Sequence, residues 1–353
     1  MNQINLLKET LKPHLGWHGA RLNFLALFLI ALLRVKTVNM VELATGFRSS
    51  TKEESNYKRM QRFFRNFDLD YTVIAKIVVA LMGIPQPWVL SLDRTNWSFG
   101  ETHFNILTLG IVHHGVAYPV AWQMLDKKGN SNTEERVDLL ETFFKIFPEA
   151  QVSCLCTDRE FVGGLWLTYM LLAPVLSFRA RIRSSDKISD GKQYLKASVV
   201  FSHLKVGESM VLSGRRWVWG RSVYVGALRL DDGDLLVIIS PDSPENMISD
   251  YAQRWGIETL FGMFKTRGFC LESTHFVHSE RLSKLLALMT LALCWAVKMG
   301  EWLHQQRPIK LKKHGRRAKS IFRYGFDHLR SIVVDLDLKH GDFLFSLQFL
   351  SCT

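Results

Sequence analysis

The sequence Trp88-Val89-Leu90-Ser91-Leu92-Asp93 is a short apolar run that follows Pro85-Gln86-Pro87 and ends on an acid. Two further apolar runs, residues 105–112 and 117–122, come after it through short connections, with Gly115 between the two. Apolar runs of this length with turn residues between them are typical of strands joined by hairpins. The three runs therefore predict an antiparallel meander.

Helices and strands alternate after this meander. Residues 133–147 carry apolar side chains at helical spacing, and residues 152–157 form an apolar strand that closes on Asp158. A helix at 165–172 then precedes a strand at 175–181. The order strand, strand, strand, helix, strand, helix, strand predicts an α/β fold in which a mixed sheet is flanked by helices.

The remaining segments differ in character from this core. The predicted segments are a helical N-terminal DNA-binding region (1–85), a first core part (86–183), a β-rich insertion (184–243), a second core part (244–303) and a basic C-terminal region (304–353). The insertion is predicted to hold strands at 198–201, 209–212, 216–219 and 223–225, because short β-branched and aromatic runs occur there with glycines at the bends.

The composition indicates a soluble protein with a polyanionic partner. The chain carries 45 Lys and Arg residues against 33 Asp and Glu residues, a net charge of +12. Nucleic acid is the usual partner for such a surplus, although an acidic membrane surface would also attract it. The apolar runs 22–33 and 285–297 are shorter than the about twenty residues that a spanning helix needs. They predict buried helices of a cytoplasmic protein without a membrane segment.

The cysteines and the clustered cations suggest further features of this protein. The five cysteines lack the paired spacing of a zinc site, so they are predicted to be reduced core thiols. One basic group, in a predicted amphipathic helix whose apolar side is Met60, Phe63, Phe64 and Phe67, comprises Lys58, Arg59, Arg62 and Arg65. A second group comprises Arg307, Lys310, Lys312, Lys313, Arg316, Arg317 and Lys319. Both groups are predicted to contact DNA, with a solvated surface as the alternative.

Asp93 and Asp158 each end a predicted strand, and a carboxylate fixed by a sheet is a suitable ligand for Mg²⁺. An acid that merely starts a turn is the alternative for either residue. Glu160 follows Asp158 by two positions, so it faces the same side of an extended chain and is predicted to support it. The two acids therefore predict a metal site at one edge of the sheet.

Four polar residues, Tyr251, Arg254, Glu258 and Lys265, lie at offsets of 0, 3, 7 and 14. At about 100° per residue these positions fall within roughly 60° on one helix, so they predict a single polar ridge. A solvated ridge with an Arg254–Glu258 ion pair is the alternative.

The spacing Tyr251-x2-Arg254-x3-Glu258-x6-Lys265 resembles the Tyr-Arg-Glu-Lys signature of a group of DDE transposases from bacterial insertion sequences. Residues 92–97 resemble the first-Asp motif of that family, and residues 157–161 resemble the second. The β-rich insertion between the second acid and the glutamate is also a family trait. The resemblance covers residues 90–268.

The resemblance implies a ribonuclease-H-like core in which Asp93, Asp158 and Glu258 bind two Mg²⁺ or Mn²⁺ ions. Asp93 would bridge both ions, while the other two acids would each complete one. The implied activity is cut-and-paste transposition, with strand cleavage and strand transfer at the ends of an insertion sequence and a DNA-hairpin intermediate. Two metal ions can activate the nucleophile and stabilise the leaving oxygen without a histidine base.

The resemblance also implies the DNA contacts. Arg254 and Lys265 would hold phosphates beside the cut, and Tyr251 would contact phosphate through its hydroxyl. Trp217 and Trp219 are predicted to stack on a flipped base, with buried sheet tryptophans as the alternative. The implied partners are double-stranded DNA, at terminal inverted repeats and target, and a second copy of the chain, on the bacterial nucleoid.

Two other functions remain open at this point. A ribonuclease-H-like nuclease such as a resolvase would share the fold, and a non-catalytic DNA-binding regulator derived from a transposase would share the motifs. The Tyr-Arg-Glu-Lys spacing and the β-rich insertion favour the transposase over the resolvase, and the presence of all three acids favours it over the regulator.

Overall fold

A computed structural model describes residues 3–48, 51–172, 176–313 and 315–351. As described, the chain forms two compact units. Unit 1 comprises Met1–Ile84, Trp97–Phe104 and Leu260–Thr353, and unit 2 comprises Pro85–Asn96 and Asn105–Thr259. One boundary between the units therefore falls inside the segment predicted as the second core part.

The elements are numbered here in chain order. The helices are α1 (Gln3–Leu15), α2 (Gly19–Val35), α3 (Met40–Gly46), α4 (Glu53–Asn66), α5 (Tyr71–Met82), α6 (Thr133–Ile146), α7 (Gly164–Leu172), α8 (Ala197–Val200), α9 (Met247–Ala252), α10 (Trp255–Phe264), α11 (Ser279–Gln306), α12 (Ile321–Val334) and α13 (His340–Leu347). The strands are β1 (Trp88–Phe99), β2 (Thr102–His113), β3 (Val116–Met124), β4 (Val152–Thr157), β5 (Phe178–Ile182), β6 (Lys187–Ser189), β7 (Tyr194–Lys196), β8 (Ser209–Val211), β9 (Arg216–Val218), β10 (Arg221–Arg229) and β11 (Leu235–Ser240).

The sheet has the strand order β3-β2-β1-β4-β5-β11-β10-β9-β6-β7, and β8 pairs with β10. β4 runs parallel to both β1 and β5, whereas β2 and β3 form an antiparallel pair. Helix α6 packs against β3, and α9 packs against β4, β5, β10 and β11. The predicted mixed α/β sheet flanked by helices is confirmed. The strand predicted at 175–181 is β5, and residue 175 lies outside the described residues.

The β-rich segment 184–243 extends the same sheet. β11 pairs antiparallel with β5, so the strands that follow β5 in sequence are hydrogen-bonded to the core. The predicted strand at 198–201 is wrong, because residues 197–200 form the helix α8. Phe201 is fully buried after this helical turn, and its N–H donates to the Ala197 carbonyl at 3.0 Å. A short apolar run fits a strand or a helix equally well, and here tertiary packing selects the helix.

Unit 1 has its core around the two long apolar helices α2 and α11, which bury residues 24–33 and most of 282–297 as predicted. Helix α11 has 28 residues and is long and apolar enough to cross a membrane, but 89% of its most apolar window is buried inside the protein. Helices α1 and α2 pass the same test only as a pair, and they are bent by 118°.

Helices α11 and α12 cross within unit 1 at a pair of glycines. A Cβ built on Gly300 would overlap the carbonyl oxygen of Ile321, and one built on Gly325 would overlap the carbonyl oxygen of Ala296. The two backbones are therefore in direct contact, and no larger residue fits at either position.

The predicted core thiols are only partly found. Cys154, Cys156 and Cys294 are buried, but Cys270 is exposed, which corrects the prediction for that residue. Cys270 has a φ of 52° in the turn before a short 3-10 helix, where the chain lies at the surface. Cys352 lies outside the described residues.

Candidate active site

Asp93 and Asp158 lie next to each other on two neighbouring strands of the sheet, β1 and the end of β4. β1 and β4 are parallel neighbours, and Leu92 pairs with Thr157 in their register. Each acid is the next residue after this pair, so the two carboxylates start from adjacent backbone positions. Leu92 and Thr157 are fully buried, so these positions cannot shift without opening the core. The sequence predicted that each acid ends a strand. Asp158 does follow the end of β4, but the prediction is wrong for Asp93, because β1 continues past it to Phe99.

Arg254 joins Asp93 to Glu258. Its Nη1 lies 3.1 Å from Oδ2 of Asp93, and its Nη2 donates to Oε1 of Glu258 in a short contact. Only 6% of the Arg254 side chain is exposed, against 14% for Asp93 and 36% for Glu258. The structure therefore places the guanidinium between two acids, whereas the sequence predicted that it would bind a DNA phosphate. One guanidinium spans both carboxylates, so it brings them close together.

The four residues predicted to share one helix ridge do not lie on one helix. α9 ends at Ala252 and α10 begins at Trp255, with a turn between them. In this turn the N–H of Arg254 donates to the Tyr251 carbonyl at 2.9 Å, and the Ile257 N–H donates to the Arg254 carbonyl at 3.1 Å. These bonds span three residues instead of four, which tightens the chain and rotates each side chain further around the axis.

Close packing of α10 on β2 and β3 accompanies this break. A Cβ on Gly256 would lie 2.9 Å from the Val112 side chain and 3.1 Å from the Ala117 backbone nitrogen. The first turn of α10 thus fits against the meander only because residue 256 lacks a side chain. This packing seats Arg254 and Glu258 within unit 2.

Tyr251 contacts the second acid. Its hydroxyl donates to Oδ1 of Asp158 at 3.4 Å, and Arg181 lies 3.7 Å from the same oxygen. The ring packs in an apolar cluster with Leu236, Ile238 and Met247. Burial raises the pKa of Tyr251, so the hydroxyl keeps its proton as a donor. The tyrosine is thus directed at an acid of the site.

The charges of the site are strongly coupled. Burial raises the pKa of Asp93 to about 7, while the Arg254 guanidinium and the Arg94 backbone N–H oppose this shift. The neighbouring charges of Asp158 and Glu160 raise that pKa further. Burial also lowers the pKa of Arg254, but nearby Tyr251 and the acids outweigh it and hold that pKa above its ordinary value. The Arg254 guanidinium therefore favours the charged form of Asp93, against the effect of burial.

The donor set fits a hard divalent cation, but the side chains do not enclose one as they stand. Asp93, Asp158 and Glu258 offer only oxygen ligands, which Mg²⁺ prefers. Within the described residues, no three His, Cys, Asp or Glu side chains are close enough to hold a metal ion. Arg254 occupies the space between two of the acids, and its buried Nε has no hydrogen-bond partner. An ion bound there would therefore displace the guanidinium.

A second ion pair links β1, just after Asp93, to the turn that follows Asp158. Arg94 contacts Glu160 through Nε at 3.1 Å and through Nη2 at 3.0 Å. The same guanidinium donates to Asn105 and Asn130 at 3.0 and 3.1 Å. The prediction that Glu160 follows Asp158 on an extended chain is wrong, because the Phe161 N–H donates to the Asp158 carbonyl and closes a turn there. Glu160 contacts the site through its ion pair with Arg94. Arg94 was not predicted as a residue of the site, although it directly follows the first acid.

Three further residues were predicted to contact DNA: Lys265, Trp217 and Trp219. Lys265 belongs to unit 1, where its ammonium is 2.8 Å from Glu272 and 5.5 Å from the Trp97 ring centre. Trp217 on β9 is 46% exposed, whereas Trp219 is half-buried. Both therefore have some accessible surface, and a role in base stacking stays a prediction.

Trp255 was missed by the sequence analysis. It is 64% exposed, although it directly follows Arg254 and lies three residues before Glu258. Its position at the start of α10 leaves a large aromatic surface in solvent within unit 2. A lone tryptophan at this spacing is typical of the apolar face of a helix, so its exposure could not be predicted from local pattern.

The predicted basic groups are at the surface. On α4, Lys58, Arg62 and Arg65 are exposed and Arg59 is half-buried, while Met60, Phe63 and Phe64 are buried as predicted. In the second group all seven cations, Lys312 and Arg316 among them, are exposed. Both groups lie in unit 1 and are accessible to a polyanion.

Neither a family model nor a curated protein sequence matches this chain. Among solved structures, the chain is similar to a piggyBac transposase in a synaptic complex with hairpin DNA, determined by cryo-EM, with a TM-score of 0.47 and 12% sequence identity. The match covers 93% of this chain and 74% of that one. The function proposed below depends on the side chains of the site.

Proposed function

We propose that this protein is a DDE transposase of the insertion-sequence type, which cleaves and joins DNA strands at the ends of its element. The observation that carries the proposal is the placement of Asp93 and Asp158 on adjacent parallel strands, together with the link from Asp93 through Arg254 to Glu258. A cluster of acids that needs a cation is suited to phosphoryl transfer, where metal ions balance the charge of the phosphate.

The proposed core is ribonuclease-H-like. The strand order β3-β2-β1-β4-β5 and the parallel run of β1, β4 and β5 support this assignment. A meander followed by two parallel strands with intervening helices was expected from the sequence resemblance. Asp93 and Asp158 each directly follow the last pair of residues, Leu92 and Thr157, that joins β1 to β4.

Asp93, Asp158 and Glu258 would hold two Mg²⁺ or Mn²⁺ ions. When bound, such ions activate water or a 3′-hydroxyl and stabilise the leaving oxygen. Tyr251 orients Asp158 through its hydroxyl. The Arg94–Glu160 pair holds β1 next to the turn that follows Asp158. Arg254 neutralises the acids before ions bind and, once displaced, can donate its fork to a DNA phosphate.

The proposed partner is double-stranded DNA, at the inverted ends of the element and at the target. The net charge of +12 and the exposed cations of α4 support a polyanionic partner. A pair of chains acting on two DNA ends and a hairpin intermediate belong to the same proposal, as does a location on the bacterial nucleoid.

The test is cleavage of a duplex that carries the DNA flanking the reading frame, in Mg²⁺. Asp93→Asn, Asp158→Asn and Glu258→Gln should each lower the rate by about 1,000-fold or more, because each removes a metal ligand with little change in volume. Binding to the same duplex should change little. Asp190→Asn, a change at an exposed turn acid, is the matched control and should cleave normally.

The other outcomes identify other functions. Retained cleavage in any of the three variants would remove that residue from the site. Binding without cleavage by the unmodified protein would favour a non-catalytic regulator. Cleavage of four-way junctions in preference to the flanking duplex would favour a resolvase.

A further inference from the structure

The basic segment between α11 and α12 folds into a short hairpin, called the hairpin of residues 310–319, of which residue 314 lies outside the described residues. The Lys312 N–H donates to the Arg316 carbonyl at 2.8 Å, and the Ala318 N–H donates to the Lys310 carbonyl at 2.8 Å. The sequence predicted a basic cluster in this segment but no helix or strand. The hydrogen bonds pair residues 310–312 with 316–318, so four of the cations, Lys310, Lys312, Arg316 and Arg317, lie on a short two-stranded ribbon.

The register of the hairpin sorts its side chains into two faces. Leu311 lies opposite Arg317 as the bridged pair, and Gly315 closes the turn with a φ of 77°. Because neighbouring residues of a strand point to opposite faces, Leu311 and Arg317 share one face. The other face carries Lys310, Lys312 and Arg316. This second face is named the cationic face.

The hairpin is exposed along its described length. Leu311 is 66% exposed, and each described residue from 310 to 319 is exposed. The sequence 307–319 contains seven cations and no acid, although Lys319 pairs with Asp327 of α12 at 3.3 Å. Burial of apolar surface therefore does not explain why this ribbon is present.

The energetics also favour a partner for the hairpin. Three backbone hydrogen bonds, including the one from the Gly315 N–H to the Lys312 carbonyl, contribute about 0.5–1.5 kcal/mol each, and a two-stranded hairpin alone is marginally stable in water. Crowded like charges oppose the folded form further. A polyanion would remove that repulsion and release its own counterions on binding.

The spacing of the cationic face matches a nucleic-acid backbone. Lys310 and Lys312 are two residues apart on a strand, which is about 7 Å at about 3.4 Å per residue. Neighbouring phosphates on one strand of duplex DNA advance by about 3.4 Å along the axis and also wind around it, so they lie about 7 Å apart in space, which is the spacing of the two lysines. The major groove also admits a two-stranded β-ribbon.

We propose that the hairpin of residues 310–319 enters the major groove of duplex DNA, with Lys310, Lys312 and Arg316 along the phosphates of one strand. This inference rests on the proposed function only for the choice of DNA as the partner, because insertion of the hairpin requires no strand cleavage. The hairpin is thus a second DNA-binding element, separate in sequence from the acids of unit 2.

The test compares the salt dependence of binding to a fluorescent duplex of about two helical turns. The variant Lys310→Gln/Lys312→Gln/Arg316→Gln should flatten the slope of log affinity against log salt by roughly 2–3 units, since each phosphate contact contributes about 0.9. The control Lys12→Gln/Lys76→Gln/Lys145→Gln removes the same charge from exposed lysines on three other helices and should leave the slope nearly unchanged. Both variants change exposed residues, and equal melting temperatures would show that both are folded.

Methylation by dimethyl sulfate locates the groove, because guanine N7 lies in the major groove. The unmodified protein and the control should protect guanines that the hairpin variant leaves reactive. Equal slopes for the two variants, unchanged protection, or displacement by phosphatidylserine vesicles instead of duplex would overturn the proposal. Hairpin-dependent binding by a protein that cuts no DNA would support this proposal and refute the proposed function.

Discussion

The guanidinium of Arg94 contacts both carboxylate oxygens of Glu160, at 3.1 Å and 3.0 Å. Arg94 directly follows Asp93, and Glu160 lies two residues after Asp158, so this bidentate pair joins the chain just beyond the paired ends of β1 and β4. With 11% and 22% of the side chains exposed, the pair is largely shielded from water. It acts on the acids by fixing the backbone positions from which they extend.

A double-mutant cycle should measure this coupling. Arg94→Ala, Glu160→Ala and the double variant should give an interaction free energy of about 1–3 kcal/mol in urea unfolding, since the bond is charged, bidentate and shielded. The exposed Lys145–Glu141 pair on α6, with side chains 78% and 53% exposed, is the matched control. Its cycle should give about 0.5 kcal/mol or less. Equal coupling in the two cycles would show that the Arg94 pair is an ordinary surface contact.

Removal of Arg254 should make stability depend on divalent ions. Arg254→Ala leaves Asp93 and Glu258 without their shared cation, so unfolding without metal should become easier by about 3–5 kcal/mol. Added Mg²⁺ should then raise the melting temperature of the variant more than that of the unmodified protein, because no guanidinium has to be displaced.

Arg34→Ala is the control for this effect. Arg34 also has a shielded guanidinium, but it donates to the carbonyls of Val333 and Gly46 and so serves two helix ends in unit 1. Its loss should destabilise the protein with no dependence on Mg²⁺. The same Mg²⁺ response in both variants would contradict competition between the ion and Arg254.

The glycine contact between α11 and α12 should tolerate no side chain. Gly300→Ala and Gly325→Ala should each lower the free energy of unfolding by about 2–4 kcal/mol, because a methyl group would overlap backbone atoms of the other helix. Gly341→Ala, at a helical glycine with no heavy atom within 4 Å, should be neutral or stabilising by up to about 1 kcal/mol. Thermal unfolding of the three variants compares them directly, and similar losses in all three would exclude the steric explanation.

Trp255 should contribute to the binding of unpaired bases. Trp255→Ala should weaken binding to a duplex with a single-stranded end by about 1–3 kcal/mol, the usual contribution of one stacked base, and Trp255→Phe should lose less. Trp217→Ala is the comparison, since that tryptophan is also partly exposed. A larger loss from Trp217 than from Trp255 in the same titration would assign the stacking to β9.

The sequence predicted the parts of the structure that depend on local pattern. The meander, the alternation that follows it and the position of Asp158 after β4 all come from short apolar runs with clear boundaries, whereas β1 continues past Asp93 to Phe99. Helix α4 buries Met60 and Phe63 and exposes Arg62 as its period requires. These features need only neighbouring residues, so one sequence is enough to place them.

The parts that the sequence could not supply depend on distant contacts. Extrapolation at about 100° per residue fails at Arg254, because the turn before α10 is tightened where Gly256 meets β2 and β3. The spacing of four residues foresees the Arg254–Glu258 ion pair, but not the contact of the same guanidinium with Asp93, which lies 161 residues away in sequence. Whether Asp93, Asp158 and Glu258 share a pair of ions stays a prediction, and so does the role of Lys265.

Gly300 and Gly325 lie on either side of the hairpin of residues 310–319, and their contact has a mechanical consequence. The two ends of the connecting loop are held by backbones that touch, so a load applied at its tip passes into the buried helices α11 and α12. If the two helices were not in contact, the ends of the loop could move apart under such a load. Here the reach of the hairpin is set by the number of residues between the helices, so equal insertions on both arms would lengthen it while its anchor points stay fixed.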